Sequence, residues 1–366
     1  AEQQGEYDRA AENYQLAAQR LFGRKELWNK AARAHLLLGK QAEAVSAYRQ
    51  AKEEGVLSAF GYDTLGQSQW EQGDHDNAFS LWQEGVAKYP EHLAFQIRFA
   101  AYYREEGNDH AERQALSHWV EAQEEGQVDA ASYYRLGLLL MLDSPEDALE
   151  MLTHASRADD QFASAVETLR TSLNLASLEE DPAQSLVLRG RGLGLVEEWQ
   201  LAADFFYNAT QVDPANASAW AWLGEARYHL GEDARPALDK ALDLQPASIL
   251  VRSLRGLYFQ REGEFEKALG EFQFAAAKEP ENPNWHFALG ETYARQGNLP
   301  PALSAYQQAV SLVPEDPNAW HVLALFSAGF AVQVEEVGLP AARKAVILQP
   351  ENAVFTDTLG WLHLAL

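Results

Sequence analysis

Paired carboxylates are the residues of this sequence best suited to general acid and base chemistry, because one carboxyl group can donate a proton while its neighbour accepts one. Such pairs stand at Glu53-Glu54, Glu105-Glu106 and Glu179-Glu180. They lie near the predicted ends of helices, where acidic side chains are normally solvated. We therefore expect these pairs to belong to the surface and not to a catalytic site.

The other residue types that support catalysis or metal binding lack the spacing that such chemistry needs. None of the ten histidines stands at a zinc-binding spacing from another His, Asp or Glu. No serine has both a glycine two residues before it and a glycine two residues after it, as a nucleophile elbow requires. The chain contains no cysteine, which excludes disulfides, thiolate metal sites and cysteine nucleophiles. The sequence predicts no catalytic residue, no cofactor and no metal site, and hence a protein that is not an enzyme.

Charge and hydropathy exclude two further kinds of partner. The formal net charge is −25 at pH 7, and so acidic a chain repels the phosphate backbone of DNA and RNA. No stretch approaches the roughly 18 uncharged apolar residues of a membrane-spanning helix. We expect neither nucleic-acid binding nor direct membrane insertion.

A pattern of small, aromatic and proline residues recurs every 34 residues and predicts the elements that position the side chains. In one unit the pattern consists of Gly256, Gly263, Ala268, Phe272, Ala275 and Pro280. The next unit repeats it at Gly290, Gly297, Ala302, Tyr306, Ala309 and Pro314. The spacing predicts two amphipathic helices per unit. A glycine ends the first helix and a proline ends the second, so that each unit is a helical hairpin.

This order of Leu-Gly, aromatic, Ala, aromatic, Ala and Pro at fixed offsets resembles the pattern of the tetratricopeptide repeat family. The resemblance covers nearly the whole chain. It implies an all-α fold, a right-handed superhelical α-solenoid of tandem helix-turn-helix repeats. By register, the complete repeats are placed at residues 25–56, 59–92, 93–129, 130–160, 183–216, 217–248, 249–282, 283–316 and 317–352.

The register of the repeats predicts two arrays and a joint between them. Residues 1–160 are expected to form an N-terminal array of a half repeat and about four repeats, and residues 183–366 a C-terminal array of about five repeats and a half repeat. Residues 161–182 are expected to form an irregular joint helix. Because both ends fall in mid-repeat, we expect a fragment of a longer protein, whose open solenoid ends could support a homodimer.

The glycine-rich run from Leu188 to Leu195 resembles a phosphate-binding loop. Such a loop needs a preceding strand and the start of a following helix, and neither is predicted here. Gly190 falls on the close-packing position of a repeat. We interpret the run as a packing feature.

Tryptophan rings could serve as stacking platforms for sugars. The candidates are Trp70, Trp82, Trp199, Trp220 and Trp222. Most of them fall on packing offsets of the family, so the resemblance implies that they belong to the core. Trp70 and Tyr228 are the expected exceptions.

The resemblance further implies a groove on the concave side, lined by the first helix of every repeat. Carried over by register, the partner-binding positions are Arg191, Glu225, Tyr228, His229, Gln260, Arg261, Asn284, Phe287, Glu291, Arg295, Asn318 and His321.

Three arginines give this groove a basic character within an acidic protein. Arg261 and Arg295 are 34 residues apart and should project from equivalent points of neighbouring repeats, with Arg191 further along the same groove. Guanidinium groups hold carboxylates in bidentate pairs. The arginines would then bind an acidic segment or a chain terminus of a partner. In the alternative, they pair with Glu225, Glu291 and other neighbours.

The leading hypothesis is a non-catalytic scaffold that binds a partner protein or peptide in this groove, for instance in a bacterial multiprotein assembly. Two alternatives stay open. The array could recruit substrates for a larger enzyme such as a glycosyltransferase, or it could bind carbohydrate directly in the cell envelope.

Overall fold

The structure is a computed structural model of the chain, and it describes residues 2–21, 23–123 and 127–364, with side chains from residue 6 onward. In these ranges every regular element is a helix and no strand is found. The predicted all-α fold is therefore confirmed. The chain divides into two compact units, unit 1 (Ala1–Val166) and unit 2 (Glu167–Leu366).

Unit 1 contains nine helices in its described part. They are α1 (Glu2–Arg20), α2 (Leu27–Leu37), α3 (Gln41–Glu53), α4 (Ala59–Glu71), α5 (His75–Lys88), α6 (Ala94–Glu105), α7 (Asp109–Glu121), α8 (Ala130–Leu140) and α9 (Pro145–Ala158). A 3-10 turn (Asp160–Phe162) follows, and the boundary between the units falls inside α10 (Ala163–Ser177). The predicted domain bounds at 160 and 182 stay a prediction.

Unit 2 continues with helices in the same alternation of first and second members. They are α11 (Pro182–Leu195), α12 (Trp199–Val212), α13 (Ala217–His229), α14 (Arg235–Leu244), α15 (Ile249–Arg261), α16 (Phe265–Lys278), α17 (Pro283–Arg295), α18 (Leu299–Leu312), α19 (Pro317–Phe330), α20 (Leu339–Leu348) and α21 (Ala353–Leu364). A π-helical turn (Val334–Gly338) lies between α19 and α20.

Several hairpins close around a contact between a glycine and a large side chain. The Cβ atom missing from Gly190 would lie 2.7 Å from the ring of Phe206, and that missing from Gly256 would lie 2.6 Å from the ring of Phe272. Gly66 is related to Trp82 in the same way. The glycine of the first helix thus admits the aromatic ring of the second helix, which explains why these two residue types recur together.

The sequence also marks where the helices begin and end. First helices of unit 2 begin after a side chain that accepts a backbone N–H, and these caps are Asp181, Asn216, Ser248, Asn282 and Asp316. Prolines stand two residues beyond the ends of α14, α16, α18 and α20, where a further helical turn would clash.

Candidate functional site

Successive first helices of unit 2 lie side by side. Helix α13 packs against both α11 and α15, in addition to the second helices of the hairpins. A hydrogen bond from Gln260 Nε2 to Thr292 Oγ1, 2.8 Å long, connects α15 with α17. We call the surface formed by α11, α13, α15 and α17 the first-helix face.

A buried carboxylate lies at the centre of this face. The Glu225 side chain is 7% exposed, and its two oxygens accept hydrogen bonds from Arg261 Nη1 at 2.8 and 2.9 Å. His229 Nε2 lies 3.3 Å from the same carboxylate, and the guanidinium of Arg261 lies 4.9 Å from the ring centre of Tyr228. Arg261 therefore neutralises Glu225, since a carboxylate is tolerated at this depth only with a cationic partner.

A cavity of about 590 Å³ opens beside this ion pair, between α11, α12 and α13. The aromatic side chains of its wall are Trp199, Phe206, Trp222 and His229. The rings of Trp199 and His229 are parallel within 1°, with centres 3.8 Å apart. Gly194 leaves space for Trp199, because a Cβ there would lie 2.9 Å from the indole.

Arg191 is the cation at this cavity that has no carboxylate partner among the described residues. Its guanidinium lies 5.1 Å from the ring centre of Trp222, a cation–π contact. The indole nitrogen of Trp222 is buried and finds no acceptor in the part of the chain that the structure describes. The site therefore holds one exposed cation that a ligand could use and one buried donor without an acceptor among the described residues.

Arg191 also borders a second cavity, of about 330 Å³, between α10 and α11. Leu175 and Leu188 contribute to its apolar wall, and Leu195 lines both cavities with most of its side chain exposed. Arg191 and Leu195 thus form a ridge between two cavities.

The residues predicted for the groove divide into three groups. Arg191, Glu225, Tyr228, His229 and Arg261 come together around the first cavity. Gln260 was expected on the same surface but is 4% exposed, because it bonds to the fully buried Thr292. The sequence could not distinguish these two environments, since Gln260 and Arg261 are neighbours in the chain.

The remaining predicted residues lie on α17 and α19. Asn284 and Asn318 are exposed, and Phe287 is half-buried against Tyr306. Arg295 Nη1 lies 4.0 Å from Glu291, and both side chains are about half exposed.

His321 has an apolar environment. Its ring centre lies 4.9 Å from that of Phe355, and burial lowers the pKa of His321 below its ordinary value. Its Nδ1 atom has no hydrogen-bond partner within the described ranges.

Two side chains of the cavity were missed by the sequence interpretation. Trp199 and Trp222 were assigned to the core, yet both are only partly buried and line the cavity. Periodicity could not show this, because a ring at a packing offset can still present one edge to a cavity. The two expected exceptions, Trp70 and Tyr228, are also partly buried, and Trp70 stacks on His75 with ring centres 4.1 Å apart.

Two negative findings apply to the ranges that the structure describes. No group of three or more His, Asp or Glu side chains is arranged to hold a metal ion. No helix there is both long and apolar enough to cross a membrane.

Comparison with known families agrees with the repeat pattern. Two models described as tetratricopeptide repeats match the chain, one at residues 25–54 and one at residues 253–319. These two segments carry tetratricopeptide repeats. Members of this family are protein-interaction scaffolds. A search of curated proteins finds no match.

Solved structures that match the chain include several tetratricopeptide repeat proteins. YrrB, described as having an unusual peptide-binding site, is 23% identical over 57% of this chain and 97% of its own, with a TM-score of 0.35. A repeat protein from Parabacteroides merdae is 14% identical over 74% of this chain and 98% of its own, with a TM-score of 0.41. Yeast Tom70 is 16% identical over 92% of this chain and 88% of its own, with a TM-score of 0.40.

Proposed function

We propose that this tetratricopeptide repeat protein is a non-catalytic scaffold that binds an acidic segment of a partner protein on the first-helix face of unit 2. Arg191 is the principal anchor of the segment. The observation that carries the proposal is an exposed guanidinium, without a carboxylate partner in the described chain, on a ridge between two cavities.

The electrostatics of the face favour Arg191 over the other predicted arginines. Arg261 already donates two hydrogen bonds to Glu225, so recruiting it would leave a buried carboxylate without its partner. Arg295 is exposed and only 4.0 Å from the exposed Glu291, a weak pair that a ligand could replace. Arg191 and Arg295 are therefore the arginines that can bind a carboxylate at little cost.

The two cavities suit an extended segment that crosses α11. Neighbouring helices lie roughly 8–10 Å apart, and an extended chain advances about 3.3 Å per residue. Side chains about three residues apart could therefore enter the two cavities while a carboxylate between them meets Arg191. A partner protein, and not a small metabolite, has the length for this arrangement.

Selection from a random-peptide display library tests the proposal. We expect enriched peptides to carry Asp, Glu or a free carboxyl terminus, and their affinity to fall as salt concentration rises. In calorimetric titrations, Arg191→Ala should weaken binding about tenfold or more, the usual effect of losing a charge-assisted hydrogen bond.

A matched control comes from Arg343, which is exposed on the second helix α20. Arg343→Ala removes the same charge from the chain but not from the first-helix face, so affinity should stay within about twofold of wild type. An equal loss of affinity in both variants would show that the effect comes only from the net charge of the chain. Full binding by Arg191→Ala, or enrichment of peptides without carboxylates, would contradict the proposal.

A further inference from the structure

One inter-helix turn of unit 2 has a glutamate at a position where the other turns of the same geometry have a glycine. The second residue after the first helix has a positive φ, between 67° and 81°, at six glycines, which are Gly39, Gly73, Gly107, Gly231, Gly263 and Gly297. The equivalent position in the hairpin of α11 and α12 holds Glu197, 34 residues before Gly231, and its φ is 66°.

A glutamate at this position is conformationally unfavourable. The left-handed region brings Cβ close to the carbonyl oxygen, a strain that glycine avoids. Glycine at the same position in the other turns shows that the hairpin has no need of a side chain there. Residues held in such a conformation tend to lie at functional sites.

Glu197 lines the first cavity, together with Trp199 and Trp222. Its side chain is exposed, and its carboxylate forms no hydrogen bond or ion pair within the described residues. The other carboxylate of the cavity, Glu225, is already neutralised by Arg261. Glu197 is therefore the carboxylate of this cavity whose charge is left for a ligand.

The wall of the cavity is suited to a cation as well. Indole rings attract cations through their negative faces, and Arg191 already makes such a contact with Trp222. Repulsion from Arg191 opposes the entry of a cation into the cavity, and attraction to Glu197 in the same lining offsets it. An acidic residue of the same ligand removes this repulsion.

We propose that the cavity between α11, α12 and α13 takes the side chain of an arginine or lysine from the bound segment, with Glu197 as its charge partner. The segment then carries a basic residue beside the acidic residue that meets Arg191. This inference rests on the proposed function in one respect, namely that the ligand is a segment of a partner protein. Binding of a basic side chain in the cavity can be tested separately.

The probe is N-acetyl-arginine amide, which has the side chain but no free carboxylate or amine. Its titration is followed through the indole N–H signals of Trp199 and Trp222, assigned by Trp→Phe variants. We expect saturable shifts with a dissociation constant in the millimolar range, as is usual for a single side chain. N-acetyl-norleucine amide, which lacks the charge, should give no saturable shift.

Two variants at Glu197 separate binding from folding. Glu197→Gln keeps the side chain but removes its charge, and should weaken the arginine amide by roughly three- to tenfold. Glu197→Gly should weaken it to the same extent and raise the melting temperature by about 2–4 °C, because the strain is released.

The outcomes distinguish this inference from the proposed function. If the arginine amide binds but Arg191→Ala leaves the affinity for acidic peptides unchanged, the cavity inference is supported and the acidic-segment proposal fails. If acidic peptides bind through Arg191 while Glu197→Gln leaves the affinity for the arginine amide unchanged, the cavity inference fails. Absence of saturable shifts at Trp199 and Trp222 would also overturn it.

Discussion

Contacts between a glycine and an aromatic ring determine how closely the helices of several hairpins pack. Gly190 and Phe206 in unit 2, and Gly66 and Trp82 in unit 1, are separated by the same number of residues and make equivalent contacts. The methyl group of an alanine at Gly190 would need the space that the Phe206 ring fills. Cores packed at this density do not absorb an extra methyl group without displacing neighbours.

Replacing Gly190 with alanine should therefore destabilise the protein by about 1–3 kcal/mol, although alanine has the higher helix propensity. Gly270 is the matched control, because it is exposed within α16 and a Cβ there meets nothing within 4 Å. Gly270→Ala should stabilise the chain by about 0.5–1 kcal/mol. Urea denaturation midpoints of the two variants should thus move in opposite directions, and equal midpoints would show that α12 shifts to accommodate the methyl group.

Some of these residue-scale features could be predicted from the sequence, and others could not. Gly190, Phe206 and the turn glycines recur at fixed offsets, so the repeat alone identified their packing role. The pairing of Arg261 with Glu225 could not be decided, because it depends on side-chain rotamers across two helices. Glu197 stood in the sequence at the place of a turn glycine, a signal that register could have revealed.

At the scale of the elements, helices α7 and α8 of unit 1 are joined by a buried ion pair. Glu112 is 1% exposed and accepts hydrogen bonds from Arg135 Nε at 2.8 Å and from Arg135 Nη2 at 2.6 Å. Both side chains border a cavity of about 580 Å³. A bidentate pair of this kind fixes the relative position of the two helices, because each charge is costly to bury alone.

Arg135→Met should accordingly destabilise unit 1 by about 3–5 kcal/mol, since it leaves the Glu112 carboxylate buried without its main partner. The double variant Glu112→Leu, Arg135→Met removes both charges and should recover most of that loss. Thermal denaturation of the two variants and the wild type checks this expectation. A double variant no more stable than Arg135→Met would indicate that packing, and not charge, dominates at this position.

At the scale of the whole molecule, the chain consists of two compact units whose repeats contact mainly their neighbours along the sequence. Stability in such an array is approximately a sum of the contributions of repeats and of their nearest-neighbour contacts. The all-α hairpin architecture could be predicted from the sequence because every repeat carries the same local signals. The repeat register predicted a joint at residues 161–182, but no residue of the sequence marks the position of the unit boundary inside α10.

Perturbations should consequently stay within the unit that carries them. Gly66→Ala places a Cβ 2.1 Å from the Trp82 indole in unit 1, and Gly190→Ala does the equivalent in unit 2. In hydrogen-exchange mass spectrometry, each variant should lose protection in the substituted hairpin and its neighbours. Uniform loss of protection over all described helices, in either variant, would instead indicate that the chain unfolds as a single cooperative unit.

The glycines of α11 also bear on the order in which unit 2 assembles. Gly190, Gly192 and Gly194 approach Phe206, Ser172 and Trp199, respectively, so each admits a different neighbour. Each glycine lowers the intrinsic stability of the helix by about 1 kcal/mol relative to alanine. Helix α11 therefore has little tendency to form before α10 and α12 are present. The ridge of Arg191 and Leu195 should be among the last parts of unit 2 to become ordered during folding, so under the proposed function nascent or partly folded chains would not yet engage a partner there.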